Sequence, residues 1–146
     1  MARFSQRSLN NLEGINPQLR KVLDLAIERA GSNPSLDFAV IQGVRSKEEQ
    51  RKNVAKGVSQ TMNSRHIEEC PIDDNVCFGN AVDILPSSIK AGMDWEPKYF
   101  KPVLELIYQC GQELGIKLRF GNNWQNNPSL PYTGKFPDWP HVEIPR

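Results

Sequence analysis

Helical and strand-like segments follow one another irregularly along the 146 residues of this chain, and that order bounds the fold more tightly than composition does. Asn16 can cap a helix and Pro17 suits its first turn. Leu19, Val22, Leu23, Ala26, Ile27 and Ala30 then recur at helical spacing until Gly31 stops the run. Leu36 to Ile41 reads as a short strand ending at Gln42-Gly43, and Ser46 caps a polar helix through Lys47 to Arg51 that closes near Gly57. After a polar loop from Ser59 to His66, the run Asn80-Ala81-Val82-Asp83-Ile84-Leu85 reads as a buried strand ended by Pro86. Asp94 is expected to cap a long helix with Phe100, Val103, Leu104, Ile107, Tyr108 and Leu114 on its inner face, and Pro102 is expected to bend it or delay its start. Ile116 to Phe120 and His141 to Ile144 read as further strands, separated by a turn at Gly121-Asn122-Asn123-Trp124 and a loop rich in Pro and Asn. Regular alternation, the mark of a doubly wound parallel sheet, is missing. The expectation is an α+β fold: one small domain over 1–146, an antiparallel sheet with flanking helices. The length suits a single core.

Composition narrows the function. At 38% apolar and 24% charged residues the chain is neither disordered nor fibrous. A net charge of +1 and scattered basic residues argue against nucleic acid or an anionic membrane as partner. No long apolar run is present, so neither a membrane span nor stable membrane association is expected. Met1 to Ser5 lead into no apolar stretch, which predicts synthesis and folding in a cytoplasm. Three cysteines, Cys70, Cys77 and Cys110, are too few and odd in number for a disulfide framework, and Cys110 reads as a small core residue.

The chemistry concentrates around the chain's two histidines. His66 follows Ser64-Arg65, and His141 sits between Asp138-Trp139-Pro140 and Val142-Glu143. Either one alone is more often a surface residue than a ligand. Asp83 stands inside an apolar run, where a charge is costly unless it is paired, hydrogen-bonded or bound to metal. It can be an aspartate at a strand end bonded to backbone amides. Together with His66 and His141 it can also complete two imidazoles and one carboxylate, the ligand number of a catalytic zinc with an open fourth position.

Ser64-Arg65-His66, Gly79-Asn80-Ala81-Val82-Asp83 and Asp138-Trp139-Pro140-His141 resemble, in that order, the S-x-H, G-x-A-x-D and [ED]-x-x-H motifs of the D-alanyl-D-alanine carboxypeptidase and dipeptidase superfamily of zinc peptidases. Within it, the aspartate form of the last motif, the short length, Lys117-Leu118-Arg119-Phe120-Gly121 before a tryptophan loop and Gln42-Gly43-Val44-Arg45-Ser46 are most similar to the bacteriophage L-alanyl-D-glutamate peptidase endolysins. The resemblance spans Leu19 to Ile144. It departs from the family pattern S-x-H-x-x-G-x-A-x-D at one place, where Ile67 to Phe78 separate His66 from Gly79. Loops accept such insertions at small entropic cost. This insert holds Glu68, Glu69, Cys70, Asp73, Asp74 and Cys77, and reads as an exposed acidic loop, a Cys70–Cys77 disulfide formed after release, or a second metal site.

The resemblance implies a fold of the D-Ala-D-Ala peptidase and hedgehog type, with Zn2+ held by His66, Asp83 and His141. It also implies a monomer acting on bacterial peptidoglycan at the L-alanyl-D-glutamate bond, kept in the host cytoplasm until a holin releases it to the wall and periplasm. A carboxylate must move the proton of the attacking water. Glu143, two residues beyond His141, shares its strand face, and Asp138 lies three residues before it, so spacing leaves both open. The family pattern assigns the task to Asp138 and leaves Glu143 to hold a ligand or to be a plain strand-end charge. By the same resemblance Arg45 faces the substrate carbonyl as charge develops, and Ser64 orients substrate or His66. Trp124, Trp139 and Tyr132 are expected to line the cleft. A D,D-carboxypeptidase or dipeptidase of the same fold is the nearest rival. A non-catalytic, zinc-stabilised wall-binding module, with Cys70 or Cys77 as fourth ligand, is the alternative of a different class.

Overall fold

A computed structural model describes residues 4–44, 52, 54–56, 66, 67, 69, 78–130 and 138–145. Three helices and four strands are assigned among them: α1 (Gln6–Leu12), α2 (Pro17–Ala30), β1 (Phe38–Gln42), β2 (Ala81–Pro86), α3 (Pro97–Leu114), β3 (Arg119–Phe120) and β4 (His141–Glu143). Helix α1 was not expected from the sequence. It is short, capped by the Ser5 side chain accepting from the Ser8 amide, and buries only Ser8 and Leu12, so its apolar periodicity is faint. Helix α2 begins and ends as its caps predict, with the Asn16 side chain accepting from the Gln18 amide and Gly31 at the C-cap. It buries the six apolar residues of its stripe. Each large one contributes about 2 kcal/mol on leaving water.

Helix α3 starts at Pro97, behind Glu96 rather than Asp94, and Pro102 neither delays nor ends it. The proline removes a single backbone bond. The inner face beyond it, Val103, Leu104, Ile107 and Cys110, is wholly buried, and that packing outweighs the loss. Leu114, expected on this face, is 43% exposed because it closes the last turn. No helix among the described residues is long and apolar enough to cross a membrane. Lys52, Val54 and Ala55 are helical, while the rest of the predicted polar helix lies outside the described residues.

The strands form one antiparallel sheet in the order β1-β2-β4-β3. Alternation along each strand sorts its two faces. Val40, Val82, Ile84, Phe120 and Val142 enter the core shared with α2 and α3. Asp83, His141, Glu143 and Arg119 fall on the opposite face, with Asp83 directly across from His141 and Arg119 directly across from Glu143. The third strand is only two residues long, since Ile116 to Leu118 lie outside any ladder. At the end of β1 the register slips, so that Gln42 rather than Ile41 stands opposite Asp83. Such a bulge re-aims the chain beyond it.

Two anchors hold the segments next to the sheet. Gly79 donates to the Gly14 carbonyl and accepts from the Asn16 amide, which ties the entrance of β2 to the α1–α2 link. Glu69 and Phe78 exchange a reciprocal pair of backbone hydrogen bonds, both 2.9 Å, so the chain leaves and returns at one point across the insert. Cys70 and Cys77 lie outside the described residues.

Gly43 is set by close approach. A Cβ there would overlap the Asn11 carbonyl oxygen of α1, whose side chain also donates to the Val40 carbonyl at 2.8 Å. Gly43→Ala is expected to push α1 off β1 and cost about 2 kcal/mol, in the range of overpacked cores. Urea denaturation checks this, and a wild-type midpoint would contradict the close packing.

Candidate metal centre

The polar face of the sheet collects three potential ligands from three segments. Asp83 comes from β2, His141 from the start of β4, and His66 from outside the strands, bonded to Gly43 just past the end of β1. His66 turns Nδ1 to the Gly43 carbonyl oxygen at 3.0 Å and Nε2 to Asp83 Oδ1 at 3.1 Å. His141 is oriented the other way round. Its Nε2 meets Glu143 Oε1 at 2.8 Å, and its Nδ1 stands 3.5 Å from the same Asp83 oxygen. The two imidazole rings meet edge to face with centroids 5.0 Å apart.

Each histidine therefore has its outer nitrogen engaged by an oxygen acceptor and its inner nitrogen directed at Asp83. That arrangement fixes ring orientation and tautomer in metal sites. Among the described residues, His66, Asp83 and His141 are the group able to hold a metal ion, with ligand atoms within 4.8 Å of one another. Both imidazoles are buried, and the Asp83 side chain is 22% exposed, so the cluster opens to solvent on the side of the carboxylate.

The electrostatics suit a cation. Burial pushes the Asp83 carboxyl up, but hydrogen bonds with His141 and His66, joined by their charges, outweigh it and hold the group well below the usual carboxylate range. Burial pushes His141 down, and its hydrogen bonds to Asp83 and Glu143, with the charges of Asp83 and Asp138, reverse this and raise it to about 9. Protein groups alone thus draw positive charge to the gap between Nδ1 and Asp83.

Asp138 lies in the loop before β4. Its side chain is 45% exposed, and Oδ2 is 3.9 Å from His141 Nδ1, the nitrogen that also faces Asp83. Glu143 is buried and touches His141 from behind, on the side away from Asp83. Geometry thus separates two carboxylates that spacing left equivalent. The Trp124 ring lies 5.2 Å from the His141 ring. Trp139 instead packs on Phe100 at 6.3 Å, against the core. Arg45, Ser64 and Tyr132 lie outside the described residues.

Two further contributors belong to the Lys117-to-Gly121 segment, to which the sequence reading gave no role in the site. Gly121 is wedged under the Asp138–His141 segment: a Cβ there would overlap the Asp138 carbonyl oxygen and lie 2.7 Å from His141 Cβ. Its carbonyl accepts from the Asp138 amide and its amide donates to the His141 carbonyl. Arg119 approaches Glu143 from the neighbouring strand at 3.9 Å. The signal for Arg119 was present in the alternation of Leu118-Arg119-Phe120, which puts Arg119 on the face opposite buried Phe120.

Residues 1–144 match the family model of phage L-alanyl-D-glutamate peptidases. Over 150 aligned residues, 97% of each chain, the sequence is 33% identical to the L-alanyl-D-glutamate peptidase of Escherichia phage T5. Among solved structures, the crystal structure of the Serratia marcescens L-Ala D-Glu endopeptidase ChiX is similar with a TM-score of 0.70 at 29% identity, covering 99% of this chain and 91% of that one. A match over almost the whole length, joined to the same overall fold, makes this chain a peptidase that belongs to the phage L-alanyl-D-glutamate peptidase family.

Proposed function

We propose that this chain is a zinc-dependent peptidoglycan endopeptidase that hydrolyses the L-alanyl-D-glutamate bond of the stem peptide during phage-induced lysis. It reaches the bacterial wall after holin-mediated release from the host cytoplasm. The observation that carries this reading is the convergence of His66 Nε2, His141 Nδ1 and the Asp83 carboxylate while both outer imidazole nitrogens are engaged elsewhere. Two imidazoles and one carboxylate form a set that zinc accepts while keeping a fourth position for water. The phage and Serratia relatives, both named for L-alanyl-D-glutamate cleavage, supply the bond. The whole chain serves as one peptidase domain, with 67–78 as an insertion whose ends meet at Glu69 and Phe78.

When bound, zinc supplies a Lewis acid that brings hydroxide within reach of neutral pH and polarises a carbonyl. The remaining tasks fall to side chains. Asp138 takes the proton of the attacking water and passes it to the leaving amine. Its half-exposed carboxylate, on the Nδ1 side of His141, supports that role, whereas Glu143 is sealed behind the ring. Arg45, two residues past Gly43, faces the substrate carbonyl as negative charge develops there. Ser64 orients substrate or His66. Trp124 borders the cleft beside His141, and Trp139 anchors the Asp138 loop on Phe100.

His66→Ala and His141→Ala are expected to lose stoichiometric zinc by elemental analysis, and full retention in both would sink the ligand assignment. Asp138→Ala should keep zinc yet lose at least about 100-fold in kcat, the scale of a missing general base. Substantial remaining activity would move the base to Glu143.

Zinc uptake has to displace the proton on His141, so affinity should weaken about tenfold per pH unit as pH falls below about 9. After chelation the sign for stability is opposite. The raised His141 value contributes stability that is complete below its ordinary pH of about 6.5 and lost as pH rises through about 9. The depressed Asp83 value contributes stability present above the ordinary carboxylate range and lost in stronger acid. Chelated protein should therefore be most resistant to urea in mildly acidic solution, and a stability that climbs towards pH 9 would contradict the pairing.

Mass spectrometry of digested peptidoglycan should find a new L-alanine C-terminus and a free D-glutamate amine. Release of terminal D-alanine would favour the D,D-peptidase instead.

A further inference from the structure

Behind the ligands, one arginine touches three parts of the site's support. From β3, Arg119 stands directly across from Glu143 of β4. Its Nη1 is 3.9 Å from Glu143 Oε2, while Glu143 Oε1 meets His141 Nε2 at 2.8 Å. Its Nε donates to the Trp124 carbonyl oxygen at 3.0 Å. Its guanidinium carbon also lies over the Trp124 ring, 5.2 Å from the centroid, and that ring borders His141. A guanidinium can serve three directions at once because its donors are spread around a rigid plane with two open faces.

Trp124 needs such holding. Its φ of 55° makes it the sole non-glycine residue of positive φ among the described residues. A bulky side chain persists in that region only when its surroundings over-determine it. The Trp124 amide donates to the Phe120 carbonyl at 2.6 Å and its carbonyl is taken by Arg119, so both ends of the residue are pinned.

We infer that Arg119 is a positioning residue for the metal centre: it holds Glu143 and the Trp124 loop together, and through them fixes His141 with Nδ1 toward Asp83. The inference rests on the metal-centre reading proposed above. A surface ion pair alone is a weak device, and the Arg119 side chain is 43% exposed. Here, however, its partner Glu143 is 5% exposed on its side chain, and a buried carboxylate left half-paired is free to turn its oxygens. With Oε2 drawn to Arg119, Oε1 is aimed at His141. Removal of Arg119 leaves every ligand in the chain but loosens the direction of one.

The test is zinc affinity of the full chain, measured by competition with a chromophoric chelator, with thermal unfolding recorded alongside. Arg119→Ala should raise the zinc Kd about tenfold, at the lower end of what partners of ligating histidines contribute, with the chain still folded. Arg119→Lys should recover little of this, because an ammonium cannot span Glu143, the Trp124 carbonyl and the ring together. It also guards against loss of fold in the alanine variant. In a double-mutant cycle, Arg119→Ala combined with Glu143→Gln should lose less zinc affinity than the sum of the two single losses, since part of the effect of Arg119 runs through Glu143. Wild-type affinity in Arg119→Ala, full recovery by lysine, or strictly additive losses would each overturn the inference while leaving the metal centre intact. A wild-type chain that binds no zinc would overturn the metal-centre reading, and this inference with it.

Discussion

Asp83 stands in sequence between Val82 and Ile84, both sealed into the core, while its own carboxylate, 22% exposed, is on the other face of β2. A carboxylate in that position costs several kcal/mol, on the order of a buried unpaired ion, unless cationic or hydrogen-bonding partners meet it. His141 is brought directly across from it by the β2–β4 register, and His66 reaches it while bonded to the Gly43 carbonyl. Each imidazole that stabilises Asp83 needs its far nitrogen satisfied in turn, by the Gly43 carbonyl for one and Glu143 for the other. The chain of requirements then extends outward to the bulge in β1, to the close contact of Gly43 with α1, and to Arg119 on the edge strand. A site with a net pull for a cation follows from solving a burial problem with imidazoles rather than with lysine or arginine.

The division of the sheet into two faces makes this affordable in space. Val40, Val82, Ile84, Phe120 and Val142 build the core with α2 and α3, while the alternate positions are left for chemistry. Backbone pairing holds the register rigid, so Asp83 and His141 on neighbouring strands are located by main-chain hydrogen bonds rather than by flexible loops. Asp138, proposed above as the base, is placed off the ladder but clipped to Gly121 by a backbone bond.

Much of this is legible in the linear sequence, and the limits have physical causes. Helix α2 was readable because its apolar stripe and both of its caps agree. Helix α1 was not, because seven residues with two buried positions carry little periodicity. The start of α3 was displaced by two residues because Asp94 has a better capping side chain than Glu96, yet Pro97 at the first helical turn decides the boundary. Ile116 to Leu118 have strand composition, but no partner strand pairs with them, and strand propensity counts only where a ladder exists.

By itself the sequence determined the α+β class, through the order of its apolar periodicities, and the identity of the three convergent residues, through the order of their motifs. Periodicity suffices for the first, whereas the second rests on the resemblance of those motifs to a known peptidase family. Tertiary structure alone decided which nitrogen of each histidine faces Asp83, and that Asp138 stands on the open side while Glu143 stands behind His141. It also decided that Arg119 contacts both Glu143 and the Trp124 carbonyl, beside the His141 ring. Those outcomes depend on strand register, on a bulge of one residue and on a left-handed backbone at Trp124. Register and backbone dihedral angles are settled by contacts distant in sequence, so no local pattern encodes them.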